Sequence, residues 1–465
     1  MNKIFLTIAI IFIFSIGLIA QNYTDATLAR VRELDKQSRD ASGKLMTLTA
    51  AEHIFRADVY SSNRVFQNAR EHWDKVLKNF QNDSINTPKA LFGMARSYMW
   101  EREYGLAITF FDDLLKGYIS TKEGREGLAF KGACLVRLGL NADAAKIYQQ
   151  YIQMFPTGER IESAYQNTID ALREAGKYDE AEIWVNNTRL RFSGLPTETN
   201  ALFAKLRMDI YRGKYDKAVS SADDLLTLND FDSTMTNSNE TKYLKAFSLE
   251  KLGRKNEAIT LYSSIQDSPT SYYGNLSTQR LLSLSPSLAM SRSSKISTDA
   301  KKLVNDFPAP FQTEILRNAK LRGLDPRFVL AIMKQESSFR ANAKSPSAAR
   351  GLLQLVYDTA IKYSKQAGYP NLQPEDLYKP DVNIAVASVY IAELKKEFGG
   401  LYDGICASYN GGEDNALRWL NRSKPKEAAI FTSEVGFSES KAYVFKVMGN
   451  YRVYRELYTE DLKRK

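Results

Sequence analysis

The sequence predicts an all-helical protein in two parts, a stack of helical hairpins followed by a separate helical unit, and three observations carry that expectation. Ala69, Ala107, Ala144, Ala181, Ala218 and Ala258 recur at spacings of 38, 37, 37, 37 and 40 residues. The period stops before a Ser-rich stretch at residues 283–298. Beyond it new helix starts appear, most plainly at Asp325-Pro326, where Asp suits the N-cap and Pro the first turn.

Taken in order, the chain opens with Met1-Asn2-Lys3 and an apolar run over residues 4–20 that ends on Ala20 before polar Gln21. This reads as a secretory signal peptide over residues 1–20. An uncleaved anchor is the other reading, because about 17 apolar residues reach the short end of a spanning helix. No Cys stands beside the cleavage region, which excludes a lipid anchor on such a Cys. The protein is expected to be exported, in the periplasm or elsewhere in the cell envelope, and peripheral to a membrane at most.

Residues 21–282 hold the repeats. Gly139, Gly176, Gly213 and Gly253 each stand five residues before a repeat alanine, and Trp73, Phe111, Tyr148, Val185, Ala222 and Tyr262 follow the alanines by four. A Gly that ends one helix, a polar turn, then a small and a large residue one turn apart on one face describe stacked hairpins. The pattern resembles the tetratricopeptide family, with a period slightly longer than that family's usual length of about 34. The longest spacing coincides with residues 230–241, rich in Asn, Ser and Thr, which read as an inserted loop. Such a stack binds proteins, and here it is also expected to wrap or face the following domain. Residues 283–300 read as a linker, and residues 301–460 as the second domain.

Composition limits the chemistry. Two Cys (Cys134, Cys406) and two His (His53, His72) in 465 residues supply neither a disulfide framework nor a usual zinc site, so no metal or cofactor is expected. The C-terminal third contains no His, which removes Ser-His and Cys-His nucleophiles. Carboxylates, hydroxyls and amides remain. The net charge of +10 suits an acidic envelope polymer or a solvated basic surface, and no Arg-rich run interleaved with aromatics points to nucleic acid.

From Asp325-Pro326 a helix places Val329, Ile332, Met333 and Glu336 on one face, so a carboxylate continues an apolar stripe. Such a Glu is either paired with a cation or kept protonated by desolvation, and the second state is what a general acid near neutral pH requires. Four blocks then follow in order. They read Glu336-Ser337-Ser338-Phe339, Ser345-Pro-Ser-Ala-Ala-Arg-Gly351-Leu-Leu-Gln354, Ala407-Ser-Tyr409-Asn410-Gly411-Gly412 and Glu434-Val-Gly-Phe437-Ser-Glu439-Ser-Lys441-Ala-Tyr443-Val444.

Together these blocks resemble the catalytic domain of the soluble lytic transglycosylases, lysozyme-like glycosidases whose blocks read E-S-x-F, G-L-M-Q, A-Y-N-A-G and E-x-P-F-x-E-T-x-x-Y-V. The resemblance implies a lysozyme-like helical domain that cleaves peptidoglycan glycan strands, with Glu336 as acid and base. It implies substrate contacts for Ser337 and, around the sugar subsites and the N-acetyl group, for Gln354, Tyr409 and Asn410. Glu434 and Tyr443 would border the same cleft. The sequence departs from the family at Leu353, Gly411, Tyr357 and the Glu434-Val-Gly-Phe437 segment, which lacks the usual Pro.

One acid suffices in the route the resemblance implies, because the substrate's own C6 hydroxyl replaces water and gives a 1,6-anhydro product. A hydrolytic goose-type muramidase would need a second carboxylate, for which Asp358 and Glu434 are the candidates. A third possibility is a non-catalytic scaffold that recognises glycan and recruits proteins through its repeats.

Overall fold

Six hairpins follow one another along the first half of the chain. They pair α2 (Ala50–Ser62) with α3 (Phe66–Asn79), α4 (Asn86–Trp100) with α5 (Tyr104–Tyr118), and α6 (Lys122–Arg137) with α7 (Asn141–Met154). The series continues with α8 (Ile161–Glu174) and α9 (Tyr178–Arg191), α10 (Pro196–Tyr211) and α11 (Tyr215–Leu228), and α12 (Ser238–Lys251) and α13 (Lys255–Ser264). A first helix, α1 (Asp25–Gln37), packs on α2. The structure, a computed structural model, describes residues 25–465, so the expected signal peptide lies outside the described residues. Among them the only regular structure besides α-helices is one 3-10 turn and isolated bridges, which makes the fold all-α.

The repeat pattern has a direct physical meaning. All six repeat alanines lie on the second helix of a hairpin and are 0 % exposed, and the residues four positions later are buried with them. An alanine there lets the neighbouring helix approach, and the larger residue one turn on fills the space beside it. Gly139, Gly176, Gly213 and Gly253 take φ between 71° and 76° in the turn that separates the two helices, as a left-handed cap requires. The two earliest hairpins carry Arg64 (φ 61°) and Arg102 (φ 67°) at that same position. The anticipated loop spans the stretch from the end of α11 to Asn237, which caps α12 through the Glu240 amide.

The two histidines fill a polar core at the start of the stack. His53 and His72 meet Nδ1 to Nδ1 at 2.9 Å, and His72 Nε2 contacts Asp35, which also accepts from Tyr60 and Arg56. Burial, then the His72 and Lys75 charges, pushes the His53 imidazole down to about 4.

The Ser-rich segment expected to be a linker is instead helical. It follows α14 (Tyr272–Leu284) as α15 (Pro286–Lys301), which buries Ala289, Ile296 and Ala300 along one side. Pro286 starts the helix, and no Gly breaks it; the serines lie mostly on the exposed side, and their low helix propensity is offset by the packing of Ala289, Ile296 and Ala300. Arg292 ties α15 to the carbonyls of Tyr262, Ser263 and Ile265. Tyr272 on α14 donates to Asp403 at 2.5 Å, deep in the second unit. One apolar core therefore runs from Val219 through α14 and α15 to Leu462.

That second unit comprises α16 (Gln312–Arg322), α17 (Pro326–Ser337), α18 (Tyr357–Ser364), α19 (Pro380–Glu397), α20 (Tyr402–Gly411), α21 (Glu413–Asn421), α22 (Ala428–Glu434) and α23 (Ser438–Leu457). α23 packs on both α17 and α20. Asp325 caps α17 through the Arg327 amide at 2.9 Å, and Val329, Ile332 and Met333 are buried, as their spacing predicts.

The hairpins touch this unit in sequence order, one arginine at a time. Arg64 donates to Asp358, Arg102 to Glu413, Arg137 to Asn415, and both Arg173 and Arg207 to Glu434. Lys441 then pairs with Glu240, and Arg280 with Glu427. The stack thus follows the second unit along its edge. Arg102→Gly is expected to change stability by less than about 1 kcal/mol, because relief of a left-handed arginine offsets a partly exposed ion pair. Thermal denaturation of the variant beside the parent checks this.

Candidate active site

Glu336 stands in the last turn of α17, half-buried at the end of the apolar stripe. The helix stops there because Ser338 and Phe339 turn to φ 48° and 67°, a left-handed pair that is tolerated only where the surroundings hold it. Tyr443, from the facing α23, donates to Glu336 Oε1 at 2.6 Å. Burial pushes the Glu336 carboxyl up to about 7; the Tyr443 hydrogen bond pulls the other way and the charge of Glu439 adds to the rise. Among the described residues no cation pairs with the carboxyl, and it is held near half-protonation at neutral pH, the desolvated alternative of the two open to it. Burial and the Glu336 charge hold the Tyr409 and Tyr443 phenols well above their usual range, so both stay protonated donors.

The wall beside Glu336 is the loop between α17 and α18, and it is pinned carbonyl by carbonyl. Asn383 Nδ2 donates to Arg350 O at 3.0 Å, Gln354 Nε2 to Gly351 O at 2.8 Å, Ser337 Oγ to Leu352 O at 2.7 Å and Tyr409 OH to Leu353 O at 2.6 Å. Asn383 Oδ1 also accepts from the Leu353 amide. Gly351, at φ 80°, allows this: a Cβ there would lie 2.0 Å from Leu377 O and 2.4 Å from Asn383 Nδ2. Four successive carbonyls held by four side chains make a rigid rim.

This changes the roles expected of several residues. Ser337 is 1 % exposed with its hydroxyl committed to Leu352, so it pins the rim rather than meeting substrate. Gln354 and Tyr409 stay half-buried at the site with their donors spent on the rim, leaving the Gln354 carbonyl oxygen and the Tyr409 ring for a ligand. Asn410 accepts from Ser440 Oγ at 2.6 Å through Oδ1, and its amide NH2 has no protein acceptor among the described residues. Gly411, a departure from the family pattern, has a steric reason: a Cβ would come within 2.7 Å of Ser440 Oγ.

Glu434 does not border the cleft. It is 1 % exposed, and Arg173 and Arg207 bind its two carboxylate oxygens while Arg422 approaches at 3.3 Å. Burial would raise its carboxyl, yet these three arginines hold it below the usual range. Sequence reasoning had no signal for this, since two of the partners lie more than 200 positions away. Leu353 is fully buried and Tyr357 donates to Leu372 O, so both departures support the loop. Sequence reasoning missed Asn383, a lone amide in an apolar helix, and gave no role to Glu439, exposed in the first turn of α23 within electrostatic reach of Glu336.

Two substitutions separate the influences on Glu336. Tyr443→Phe removes a donor that favours the carboxylate, so the alkaline limb of the activity profile is expected to move up, by at most about one pH unit. Glu439→Gln removes a repulsive charge and is expected to move that limb down. Profiles of kcat against pH for both variants check the opposite signs.

A helix-borne, desolvated glutamic acid beside a pinned loop, faced by tyrosines and an amide, is the arrangement a general acid requires. In agreement, residues 314–432 match the family model of the transglycosylase SLT domain, the family that the four sequence blocks resemble. The chain is 29 % identical over 151 residues to the soluble lytic murein transglycosylase of Salmonella typhimurium, covering 32 % of this chain and 23 % of that one. The Escherichia coli K12 protein of the same description gives the same identity and coverage. The chain thus spans about a quarter of the length of these curated relatives. Among solved structures, the 70 kDa soluble lytic transglycosylase of Escherichia coli aligns with a TM-score of 0.49 and 19 % identity over 92 % of this chain and 84 % of that chain.

Proposed function

We propose that the chain is a peptidoglycan lytic transglycosylase of the cell envelope, cutting the bond between N-acetylmuramic acid and N-acetylglucosamine with Glu336 as its acid and base. The observation that carries the reading is the Glu336 carboxyl itself, raised to about 7 and held at one oxygen by Tyr443. With Oε1 accepting from Tyr443, the proton resides on Oε2. Glu336 gives it to the glycosidic oxygen as the C1–O bond breaks, and the leaving sugar departs with a free hydroxyl. The substrate's acetamido carbonyl answers the positive charge at C1, oriented by the free NH2 of Asn410. The Glu336 carboxylate, now stabilised by the Tyr443 hydroxyl, removes the proton from the C6 hydroxyl as that oxygen bonds to C1. Glu336 is protonated again, the product is a 1,6-anhydro sugar and no water is consumed. An internal hydroxyl has a large effective concentration over water once the ring is held by a rigid rim.

The hydrolytic reading loses both carboxylates first assigned to it. Glu434 lies in its arginine cluster, and Asp358 is bound by Arg64 through both oxygens. Glu439 is the remaining acid near Glu336, and a muramidase reaction would have to run through it. Digestion of purified peptidoglycan, with products weighed before and after borohydride reduction, tests the assignment. Products one water lighter than hydrolysis products and inert to borohydride are expected. Reducible ends would make the protein a muramidase with Glu439 as the base, and intact peptidoglycan would leave a glycan-binding scaffold.

A further inference from the structure

Trp100 ends α4 and is 51 % exposed, whereas Trp73 and Trp419 are 2 % exposed. A large aromatic surface left open next to a domain contact calls for an occupant. The Arg64 guanidinium lies 5.0 Å from its ring centroid and that of Arg96, one helical turn back, 5.9 Å from it. Arg64 is neutralised by Asp358. Arg96 is different: it rests against Phe130 at 4.7 Å and Phe92 at 5.6 Å, with no ion-pair partner among the described residues. The acid within electrostatic reach of it, Glu126, is bound by Arg160. Burial pulls the Arg96 guanidinium down to about 10, as expected of a desolvated cation without an anion.

The place of this pair is set by the two turns beside it. Arg64 reaches Asp358, four residues after Gln354, and Arg102 reaches Glu413, three residues after Asn410. Both arginines hold a left-handed backbone to do so, at the position where later hairpins use Gly. Trp100 therefore lies between the two anchors that join the stack to the segments forming the cleft. Tyrosine rings link the cleft to the same anchor: Tyr409 meets Tyr390 at 5.3 Å in a tilted contact, Tyr390 stacks on Tyr363 at 5.1 Å, and Tyr363 lies within electrostatic reach of Arg102 and Glu413.

We propose that Trp100 and Arg96 form a second glycan-binding subsite on the helical stack, which holds the strand where it leaves the cleft. The indole takes the apolar face of an amino sugar, and the guanidinium takes a carboxylate of the peptide that the sugar carries. Amphipathic rings bury the carbon face of a sugar while its hydroxyls stay wet, and an unpaired guanidinium gains most from a carboxylate. The inference rests on the transglycosylase reading and assigns the stack a part in substrate binding.

The test uses full-length Glu336→Gln protein, which retains strands uncut, and compares it with the same protein carrying Trp100→Ala, Trp100→Phe or Arg96→Gln. Calorimetry measures binding of long soluble peptidoglycan strands, of the same strands stripped of peptide by an amidase, and of two-disaccharide fragments that fill only the cleft. Trp100→Ala is expected to weaken long-strand binding about tenfold, with Trp100→Phe keeping most of it and short fragments unaffected. Arg96→Gln should weaken binding only of peptide-bearing strands, its fold checked by the thermal midpoint. Long-strand binding by Trp100→Ala equal to the parent, or equal losses for long and short ligands, would overturn the subsite. A parent that binds no strand, from a wild type that cuts none, would overturn the transglycosylase reading itself.

Discussion

Glu336→Gln is expected to lower the rate of peptidoglycan cleavage by roughly 10³-fold or more while making the folded protein more stable above neutral pH. The loss of rate follows from the double use of one carboxyl, since Gln can neither give a proton to the leaving oxygen nor take one from the attacking hydroxyl. The gain in stability has a definite sign. An acid raised from 4.5 to about 7 in the folded state contributes fully below its ordinary value, and that contribution is lost as pH rises through the folded value. Ionising Glu336 against its surroundings costs at most about 3 kcal/mol at alkaline pH, and a neutral amide avoids it. The thermal midpoint of the variant should therefore exceed that of the wild type at pH 8 and approach it at pH 4.5. A variant that loses activity with no pH-dependent difference in midpoint would mean that Glu336 is not desolvated. Retained activity would place the acid elsewhere.

The parts of this architecture that were legible in the sequence are those in which one chemical requirement recurs at a fixed interval. The repeat alanines are visible because each hairpin needs a small residue at the same helix contact, and the stripe ending at Glu336 because a buried helix face has a fixed period. The arginines that join the two halves are not visible in this way. Arg64 and Arg102 precede their repeat alanines by 5 residues, Arg137 by 7, Arg173 by 8 and Arg207 by 11. The second unit does not share the repeat period, so beyond the first two hairpins the offset grows from one to the next. Residues 283–300 read as a linker for a related reason: serine-rich composition hides the buried positions of Ala289, Ile296 and Ala300. Within the site, the blocks led to residues that the fold gathers around Glu336, but Ser337 is turned to a carbonyl and Glu434 to an arginine cluster. A motif records which side chain is needed and not whether it faces a sugar, a carbonyl or an arginine.

Glu434 gives the sharpest test of that distinction. Around it Arg173, Arg207, Arg418 and Arg422 face Asp170, Glu174 and Glu434, drawn from α8, α10, α21 and α22. Glu434→Gln leaves four arginines with two carboxylates in a buried interface, and removing one partner of such a set costs about 3–5 kcal/mol because the remaining charges stay uncompensated. The partly exposed pair at Arg102, two contacts earlier, is worth less than about 1 kcal/mol. The expected result for Glu434→Gln is a lowered thermal midpoint, faster proteolysis between α8 and α22 and a larger radius of gyration. Cleavage of short soluble fragments should keep the wild-type pH profile, since Glu336, Tyr443 and the pinned rim lie outside the cluster. Acid acts in the same direction: Glu434 is held below its usual range, so its contribution is present above the ordinary carboxylate value and lost as pH falls through the folded one. High salt, which screens exposed pairs, should leave this buried cluster closed. If Glu434 instead worked in the cleft, the variant would keep its midpoint and lose kcat on every substrate.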